Sequence, residues 1–285
     1  MIDARPRRSA LYMPAANARA IEKARDLTCD VVILDLEDAV APDAKEIARQ
    51  QAVEAVKAGG FGRREVVIRV NGLDTPWGAE DLAAAAAACP DAILAPKVSS
   101  AADVAAYDAG LSGETRLWVM IETCASLFAL ESIAACGGTS RLDVLVIGTN
   151  DLAKEMRCRL TVDRAPLVGP LSLSVAAARA HGLAILDGVH NGIADEAGLV
   201  RQCEQGAEFG FDGKTLIHPG QIEAANAAFS PAPGEVHWAR IIVAAFDSPE
   251  NAAKGVLRIE GRMVERLHLV EAQRLIAVAE AIAAA

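Results

Sequence analysis

Two carboxylates stand where two strongly apolar segments of the chain end. Glu122 follows the run L-W-V-M-I at 117–121, and Asp151 follows V-L-V-I-G-T-N at 144–150. Short runs rich in β-branched residues are typical of parallel strands that are buried on both faces. If the two strands are neighbours, both carboxylates emerge at one end of the sheet, where hard oxygen ligands could hold Mg²⁺. The alternative is a helix cap at Asp151 beside an unrelated surface Glu122.

Charged residues also mark the ends of earlier apolar runs. Arg69 lies inside V-I-R-V, and a buried arginine is costly unless it is paired. The preceding run ends in D-L-E-D, which places Asp35, Glu37 and Asp38 close together. Arg69 either pairs with these carboxylates or is directed at a carboxylate or thioester oxygen of a ligand; we favour the second, and the two are compatible. We assign the three carboxylates a supporting role, with Lys97 after the fourth run as electrostatic support.

Eight strand-like runs alternate with helical patterns. Strict alternation predicts a parallel sheet with helices outside it. Eight units in about 220 residues fit an α/β (β/α)8 TIM barrel, whose active site lies at the C-terminal strand ends. A doubly wound open sheet is the alternative, but it usually carries a Gly-rich phosphate loop, and G-F-D-G-K-T at 210–215 fails as a P-loop because Glu208 stands where the first glycine should be. The runs begin near residue 10 and at Val31, Val66, Ala92, Leu117, Val144, Ala184 and Gly213.

The pattern changes after the eighth unit. We expect residues 1–230 to form the catalytic barrel and residues 231–285 a C-terminal helical extension, because Pro231 and Pro233 interrupt the chain. A helix is predicted at about 234–246, then a Gly-containing connector at 251–261 and a terminal helix. This extension could serve as a lid or as an oligomerisation arm.

Other polar residues near predicted strand ends suggest no covalent chemistry. Asp187 ends the seventh run, and the eighth offers Lys214 and His218. His218 precedes a proline, so we interpret it as a helix-start residue. No Ser-His-Asp or Cys-His constellation stands out, so no nucleophile for an acyl-enzyme is evident.

Composition narrows the possible partners. A net charge of −10 argues against nucleic acid and anionic membranes, so an anionic ligand would need a local basic cluster. No apolar run approaches the roughly 18 residues of a membrane span. The start M-I-D-A-R-P-R-R does not resemble a signal peptide. The six cysteines are scattered without a C-x-x-C pair, which indicates reduced thiols and a cytoplasmic location.

The motifs together resemble the citrate lyase β-subunit-like branch of the HpcH/HpaI aldolase superfamily, which includes malyl-CoA and citramalyl-CoA lyases and malyl-CoA thioesterases. The resemblance covers nearly the whole chain in order, and it implies a TIM barrel with a C-terminal extension in a homo-trimer or homo-hexamer. It is carried by R-R-S-A-L-Y-M-P, V-V-I-L-D-L-E-D-A-V, V-I-R-V-N, A-P-K-V, I-E-T, G-T-N-D-L, G-F-D-G-K-T-L-I-H-P-G-Q-I and G-R-M-V-E.

The resemblance implies roles for individual residues. Glu122 and Asp151 match the two Mg²⁺ ligands of the family. Arg69 matches the arginine that contacts the substrate near the thioester carbonyl, and Arg19 and Lys23 match basic positions that hold the phosphates of CoA. On spacing alone, these last two would be a solvated helix face.

Two departures from the family pattern bear on the reaction. The loop after the first strand reads M-P-A-A-N where much of the family has P-G. In G-R-M-V-E-R, Glu265 stands where the lyases have an aspartate that acts as an acid or base. As a whole, the resemblance implies a Mg²⁺-dependent lyase acting on malyl-CoA or citramalyl-CoA, with Glu265 and Arg69 as catalytic residues. The alternatives are a (3S)-malyl-CoA thioesterase and the β-subunit of a citrate lyase complex.

Overall fold

Eight parallel strands close into a barrel in the computed structural model, which describes residues 5–251 and 253–284. Each strand pairs with the next along the chain, and β8 pairs with β1. The predicted TIM barrel is confirmed, as are all eight predicted strands. The strands are β1 Ser9–Pro14, β2 Val31–Asp35, β3 Glu65–Arg69, β4 Ala92–Ala95, β5 Arg116–Ile121, β6 Leu142–Ile147, β7 Ala184–Asp187 and β8 Gly213–Leu216.

Helices follow the strands and cover the outside of the barrel. Apolar strand residues that point outward pack against these helices in one continuous core, whereas those that point inward form a second core inside the barrel. The alternation follows from the two-residue period of a strand. The helices are α1 Ala18–Ala24, α2 Lys45–Ala58, α3 Gly78–Ala88, α4 Ala101–Ala109, α5 Cys124–Phe128, α6 Leu130–Ala135, α7 Thr149–Met156, α8 Val168–Ala180, α9 Glu196–Phe209 and α10 Ile222–Ala228.

The strand register brings the charged strand ends together. Asp35, the last residue of β2, lies beside Arg69, the last residue of β3. On the other side, Ile121 of β5 pairs with Ile147 of β6, so the segments that carry Glu122 and Asp151 leave adjacent strands. The carboxyl end of the barrel therefore collects the residues that the sequence singles out.

A separate compact unit begins at Ser230, while Arg7–Phe229 form the barrel unit. It contains α11 Pro233–Asp247, strands β9 Val256–Ile259 and β10 Arg262–Glu265, and α12 Arg266–Ala283. Helices α11 and α12 share an apolar core that includes Ile242, Phe246 and Leu257.

The C-terminal unit differs from the sequence prediction in one element. The segment interpreted as a connector is an antiparallel hairpin of β9 and β10. Its two-residue turn places Glu260 at φ 48° and Gly261 at φ 82°, the backbone that a tight right-twisted hairpin requires. The alternation in V-L-R-I and the E-G pair could have identified the hairpin.

Two further observations concern the whole described chain. None of its described helices is both long and apolar enough to cross a membrane. All six cysteines are free thiols.

Candidate active site

A cavity of about 280 Å³ opens among the carboxyl ends of the barrel strands. Four carboxylates and one guanidinium line it, so its walls carry an excess of negative charge. The rest of the lining consists of Tyr12, Ala39, Met120, Ile147, Gly148, Thr149, Asn150, Val189, Thr215 and Ile217. A cavity with mostly apolar walls and a few charged groups is typical of a small-molecule site. The charged lining groups are Asp35, Asp38, Glu122, Asp151 and Arg69.

Glu122 lies buried in the wall of this cavity, one residue beyond the end of β5. Its side chain is only 3 % exposed, and its Oε1 accepts a hydrogen bond of 2.7 Å from the backbone N–H of Lys97. Burial raises the pKa of Glu122 to about 7, and the nearby carboxylates of Glu37 and Asp151 add to the rise against the opposing effects of the Lys97 N–H and Arg69. A buried carboxylate in such surroundings favours a bound cation.

Asp151 lies in the first turn of α7 and lines the same cavity. Gly148 precedes α7 and makes this approach possible, because a Cβ at Gly148 would lie 2.5 Å from Cβ of Glu122 and would also meet its Oε2. Among the residues that the structure describes, no three His, Cys, Asp or Glu side chains converge as a ligand set. Mg²⁺ commonly takes one or two protein carboxylates and completes its shell with water and substrate. The pair of Glu122 and Asp151 fits that chemistry.

A substitution at Gly148 tests this close approach. Gly148→Ala is expected to lower the free energy of unfolding by about 1–3 kcal/mol, because the added methyl group must displace the Glu122 side chain. Chemical denaturation measures the loss. Gly169→Ala in α8 is the matched control, since a Cβ there meets no atom within 4 Å. Equal stability of the two variants would contradict the packing argument.

Arg69 is held in place from several sides. Its Nε and one terminal nitrogen donate to the two oxygens of Asp35 at 2.7 and 2.6 Å, and the other terminal nitrogen lies 2.7 Å from Oε2 of Glu37. The guanidinium also stacks 4.7 Å from the centre of the Tyr12 ring. The ion pair with the D-L-E-D carboxylates, one of the two interpretations of Arg69, is therefore present. The guanidinium lines the cavity as well, so its contact with a ligand stays a prediction.

The acidic loop after β2 is fixed by hydrogen bonds to Asp35 and by Lys45, a residue that the sequence did not reveal as part of the site. Asp35 also accepts backbone N–H groups of Glu37 and Ala39. Beneath the loop, the buried ammonium of Lys45 donates to the carbonyls of Leu36 and Glu37 at 2.7 and 2.8 Å. Its third hydrogen bond, 2.7 Å long, goes to Oδ1 of Asn71. Two of the three donors of Lys45 thus hold the loop that grips Arg69, and the third ties Lys45 to the segment after β3.

The supporting carboxylates differ in their exposure. Glu37 is buried, and burial first, then Asp38 and Asp35, raise its pKa to about 7 against the effect of Arg69. Asp38 is exposed at the cavity rim, and Lys97 places its ammonium 3.5 Å from Oε1 of Glu37. The supporting positions predicted from sequence therefore surround Arg69 and Glu122.

The predicted CoA-binding residues lie apart from the cavity lining. Arg19 and Lys23 are exposed on one side of α1, the helix that follows β1. Because they are four residues apart, their side chains lie on the same helix face. Their role in holding phosphates stays a prediction.

Glu265 belongs to the C-terminal unit, where it is the N-cap residue of α12. Its backbone N–H donates to Nδ1 of His268 at 3.0 Å. Its side chain is half-buried. Its catalytic role also stays a prediction.

Strand-end residues outside the site have structural partners. Asp187 is bound by Arg164 at 2.7 Å and by Lys214 at 2.8 Å, and the three side chains are fully or almost fully buried. Gly206 of α9 lies directly against Asp187, which places the cluster between the barrel wall and a helix. His218 caps a short helical turn by accepting the N–H of Gly220 at 3.1 Å, as the sequence predicted.

These features define a barrel enzyme with a carboxylate pair and a clamped arginine at its mouth. The sequence profile of the HpcH/HpaI aldolase/citrate lyase family matches residues 8–219, and the chain belongs to this family. It is 50 % identical over 281 residues to a (3S)-malyl-CoA thioesterase of Cereibacter sphaeroides (strain KD131), a match that covers 99 % of this chain and 97 % of that protein. The protein is thus an enzyme of the CoA-ester lyase and thioesterase family.

Two other relatives extend this comparison. An L-malyl-CoA/β-methylmalyl-CoA lyase of Cereibacter sphaeroides (strain ATCC 17029) is 34 % identical over 99 % of this chain and 97 % of its own length. The crystal structure of CitE from Mycobacterium tuberculosis, in complex with magnesium, acetoacetate and coenzyme A, has a TM-score of 0.77 and 29 % identity. The matched region covers 98 % of this chain and 100 % of the CitE chain. The family assignment made from the motifs is confirmed.

Proposed function

We propose that this protein is a Mg²⁺-dependent thioesterase that hydrolyses (3S)-malyl-CoA to malate and coenzyme A. The observation that carries the proposal is the 50 % identity to a (3S)-malyl-CoA thioesterase over 99 % of the chain. That span includes the C-terminal unit with Glu265. From the sequence alone the lyase is the leading expectation, and the 34 % identity to the malyl-CoA lyase supports it less strongly.

The charge of the cavity supports the proposal of a bound cation. Malyl-CoA is anionic, whereas the cavity is lined by four carboxylates against one arginine that is already paired. Glu122 and Asp151 would hold Mg²⁺, and the bound ion would supply the positive charge that grips the hydroxyl and carboxylate of the malyl group. Arg19 and Lys23 on α1 would attract the CoA phosphates and so offset the overall negative charge of the protein.

Arg69 would act on the thioester. Its guanidinium faces the cavity and is held rigidly by Asp35, Glu37 and the Tyr12 ring. A positive group that needs no rearrangement stabilises charge as it develops on a carbonyl oxygen. We assign Arg69 this task, because hydrolysis places negative charge on the thioester oxygen.

Water supplies the oxygen of the new carboxylate. The water oxygen bonds to the thioester carbon, the C–S bond breaks, and the sulfur leaves as the thiol of CoA after gaining a proton. We assign Glu265 the task of accepting a proton from the attacking water and returning it to the leaving sulfur. In the lyase reaction the same side chain, in its protonated form, would instead donate a proton to the enolate carbon of acetyl-CoA.

Product analysis distinguishes the two reactions. Purified protein with Mg²⁺ is expected to convert malyl-CoA into malate and free CoA, because the chain is more similar to the thioesterase. Chromatography separates these products from glyoxylate and acetyl-CoA, and a thiol reagent measures free CoA. Glu265→Asp in the same assay tests whether the shorter carboxylate of the lyases moves the product distribution towards glyoxylate.

The other outcomes point to the alternatives. Glyoxylate and acetyl-CoA from the unmodified chain would make it a lyase. The absence of both product pairs would favour another acyl group, such as citramalyl, or a citrate lyase β-subunit that needs a carrier protein. The predicted cytoplasmic location and the predicted homo-trimer or homo-hexamer remain part of this proposal.

A further inference from the structure

Lys97 has an unusual backbone directly after β4. Its φ of +52° lies in the left-handed region, which is unfavourable for a residue with a Cβ atom. Pro96 and Val98 on either side are both buried, and Val98 belongs to the core between barrel and helices. Such backbone strain persists only where the surroundings impose it, and it is concentrated at functional sites.

This left-handed turn sets the direction of the backbone N–H of Lys97. The backbone N–H of Lys97 donates to Oε1 of Glu122 at 2.7 Å. A hydrogen bond from an N–H to a carboxylate is short and strong. A second contact joins the same two loops, because the hydroxyls of Ser99 and Thr123 lie 2.9 Å apart. The loop after β4 therefore holds the loop that carries Glu122.

The two oxygens of Glu122 have different surroundings. Oε1 takes the Lys97 N–H, whereas Oε2 lies against the backbone of Gly148, next to the helix that carries Asp151. Fixing Oε1 sets the rotation of the carboxylate and leaves Oε2 on the side of Asp151. The orientation of the ligand pair thus depends on a main-chain group.

The side chain of Lys97 has a role separate from that of its backbone. It is 51 % exposed, and its ammonium lies 3.5 Å from Oε1 of Glu37. Its contribution is therefore one of charge, whereas that of the backbone is one of position. Substitutions can separate the two, since they remove the ammonium with or without disturbing the left-handed turn.

We propose that Lys97 is a positioning residue whose left-handed backbone directs its N–H to Glu122 and thereby orients the Glu122–Asp151 pair for Mg²⁺. The inference rests on the Mg²⁺ site of the proposed function. It concerns a backbone role that the predicted electrostatic support by Lys97 does not include. The side-chain charge is dispensable for this role.

Two variants that both lack the Lys97 charge test the inference. Asparagine tolerates left-handed backbone, whereas the β-branched valine does not. Lys97→Asn and Lys97→Val both remove the ammonium, so any difference between them reports the backbone. Isothermal titration with MgCl₂ is expected to show Lys97→Val binding about 10–100-fold more weakly than Lys97→Asn, the usual effect of losing a partner that orients a metal ligand. If Lys97→Val does not fold, Lys97→Ala takes its place with a smaller deficit.

A matched control separates orientation from general strain. Cys89 has φ +54° at the end of α3, a helix terminus that leads into the opposite, amino-terminal end of the strands. Cys89→Val is expected to lower thermal stability and to leave Mg²⁺ affinity unchanged. Equal Mg²⁺ affinities of Lys97→Asn and Lys97→Val would overturn the inference while leaving the proposed function intact. Failure of the unmodified protein to bind Mg²⁺ would overturn both.

Discussion

Replacing Asp151 by asparagine is expected to lower kcat/KM on malyl-CoA by roughly 10³-fold, which corresponds to about 4 kcal/mol of lost transition-state stabilisation. Asparagine keeps the size of the side chain and its place in the first turn of α7, so the fold should be little affected. The removed charge is one of the two proposed for Mg²⁺, since Asp151 and Glu122 line the same cavity. Steady-state kinetics at several Mg²⁺ concentrations, with calorimetric titration of MgCl₂, measure the effect.

The control is a carboxylate with a similar position in another helix. Glu223 lies in the first turn of α10 and is exposed. Glu223→Gln removes one negative charge and should change neither kcat/KM nor Mg²⁺ affinity. Chelation by EDTA should reduce the unmodified protein to the level of the Asp151→Asn variant. An Asp151→Asn variant with full activity, or activity unaffected by EDTA, would remove the metal from the mechanism.

The barrel was predictable because its strands carry their own signal. Buried parallel strands such as V-V-I-L-D and L-W-V-M-I are apolar on both faces, so each stands out from the polar segments around it. Once the barrel is assumed, the carboxyl ends of all eight parallel strands lie at one end of it. This alone predicts that Arg69, Glu122 and Asp151 lie near one another. Strand direction alone thus accounts for the main cavity residues.

The unpredicted parts of the structure depend on contacts between distant segments. Lys45 acts through backbone carbonyls, and no residue type marks a carbonyl that will accept an ammonium. The left-handed φ of Lys97 has no sequence signal either, since neither glycine nor asparagine stands there. Arg164 reaches Asp187 from a loop 23 residues away. The hairpin of β9 and β10 is different, because its turn and alternation were visible in the sequence.

Tyr12 illustrates the same limit inside the barrel. Its ring supports the Arg69 guanidinium, while its buried hydroxyl has no hydrogen-bond partner among the described residues. Burial raises the pKa of Tyr12 well above its usual value. Arg69 opposes this rise and Asp35 adds to it, and the hydroxyl stays protonated. In sequence, Tyr12 is one more apolar strand residue. Only the closed barrel places it beneath the arginine.

Replacing Arg69 by methionine is expected to have the largest effect on stability. Asp35 is 1 % exposed and would lose its bidentate partner. Breaking a buried ion pair from one side costs about 3–5 kcal/mol, because the remaining charge stays buried without compensation. Chemical denaturation of Arg69→Met measures this loss. Arg69→Lys should recover only part of it, since an ammonium cannot reproduce the two parallel hydrogen bonds of the guanidinium.

A second substitution separates the structural role of Arg69 from its chemical role. In the Asp35→Asn background the buried charge is gone, so Arg69→Met should cost much less stability than it does alone. If Arg69 also stabilises charge on the thioester oxygen, the double variant remains inactive although it is folded. Donors of this kind contribute about 10²–10³-fold to kcat. Recovery of both stability and activity in the double variant would instead reduce Arg69 to a partner of Asp35. The cavity would then need another source of positive charge for the thioester, and the half-exposed ammonium of Lys97, 3.5 Å from Oε1 of Glu37, is the candidate.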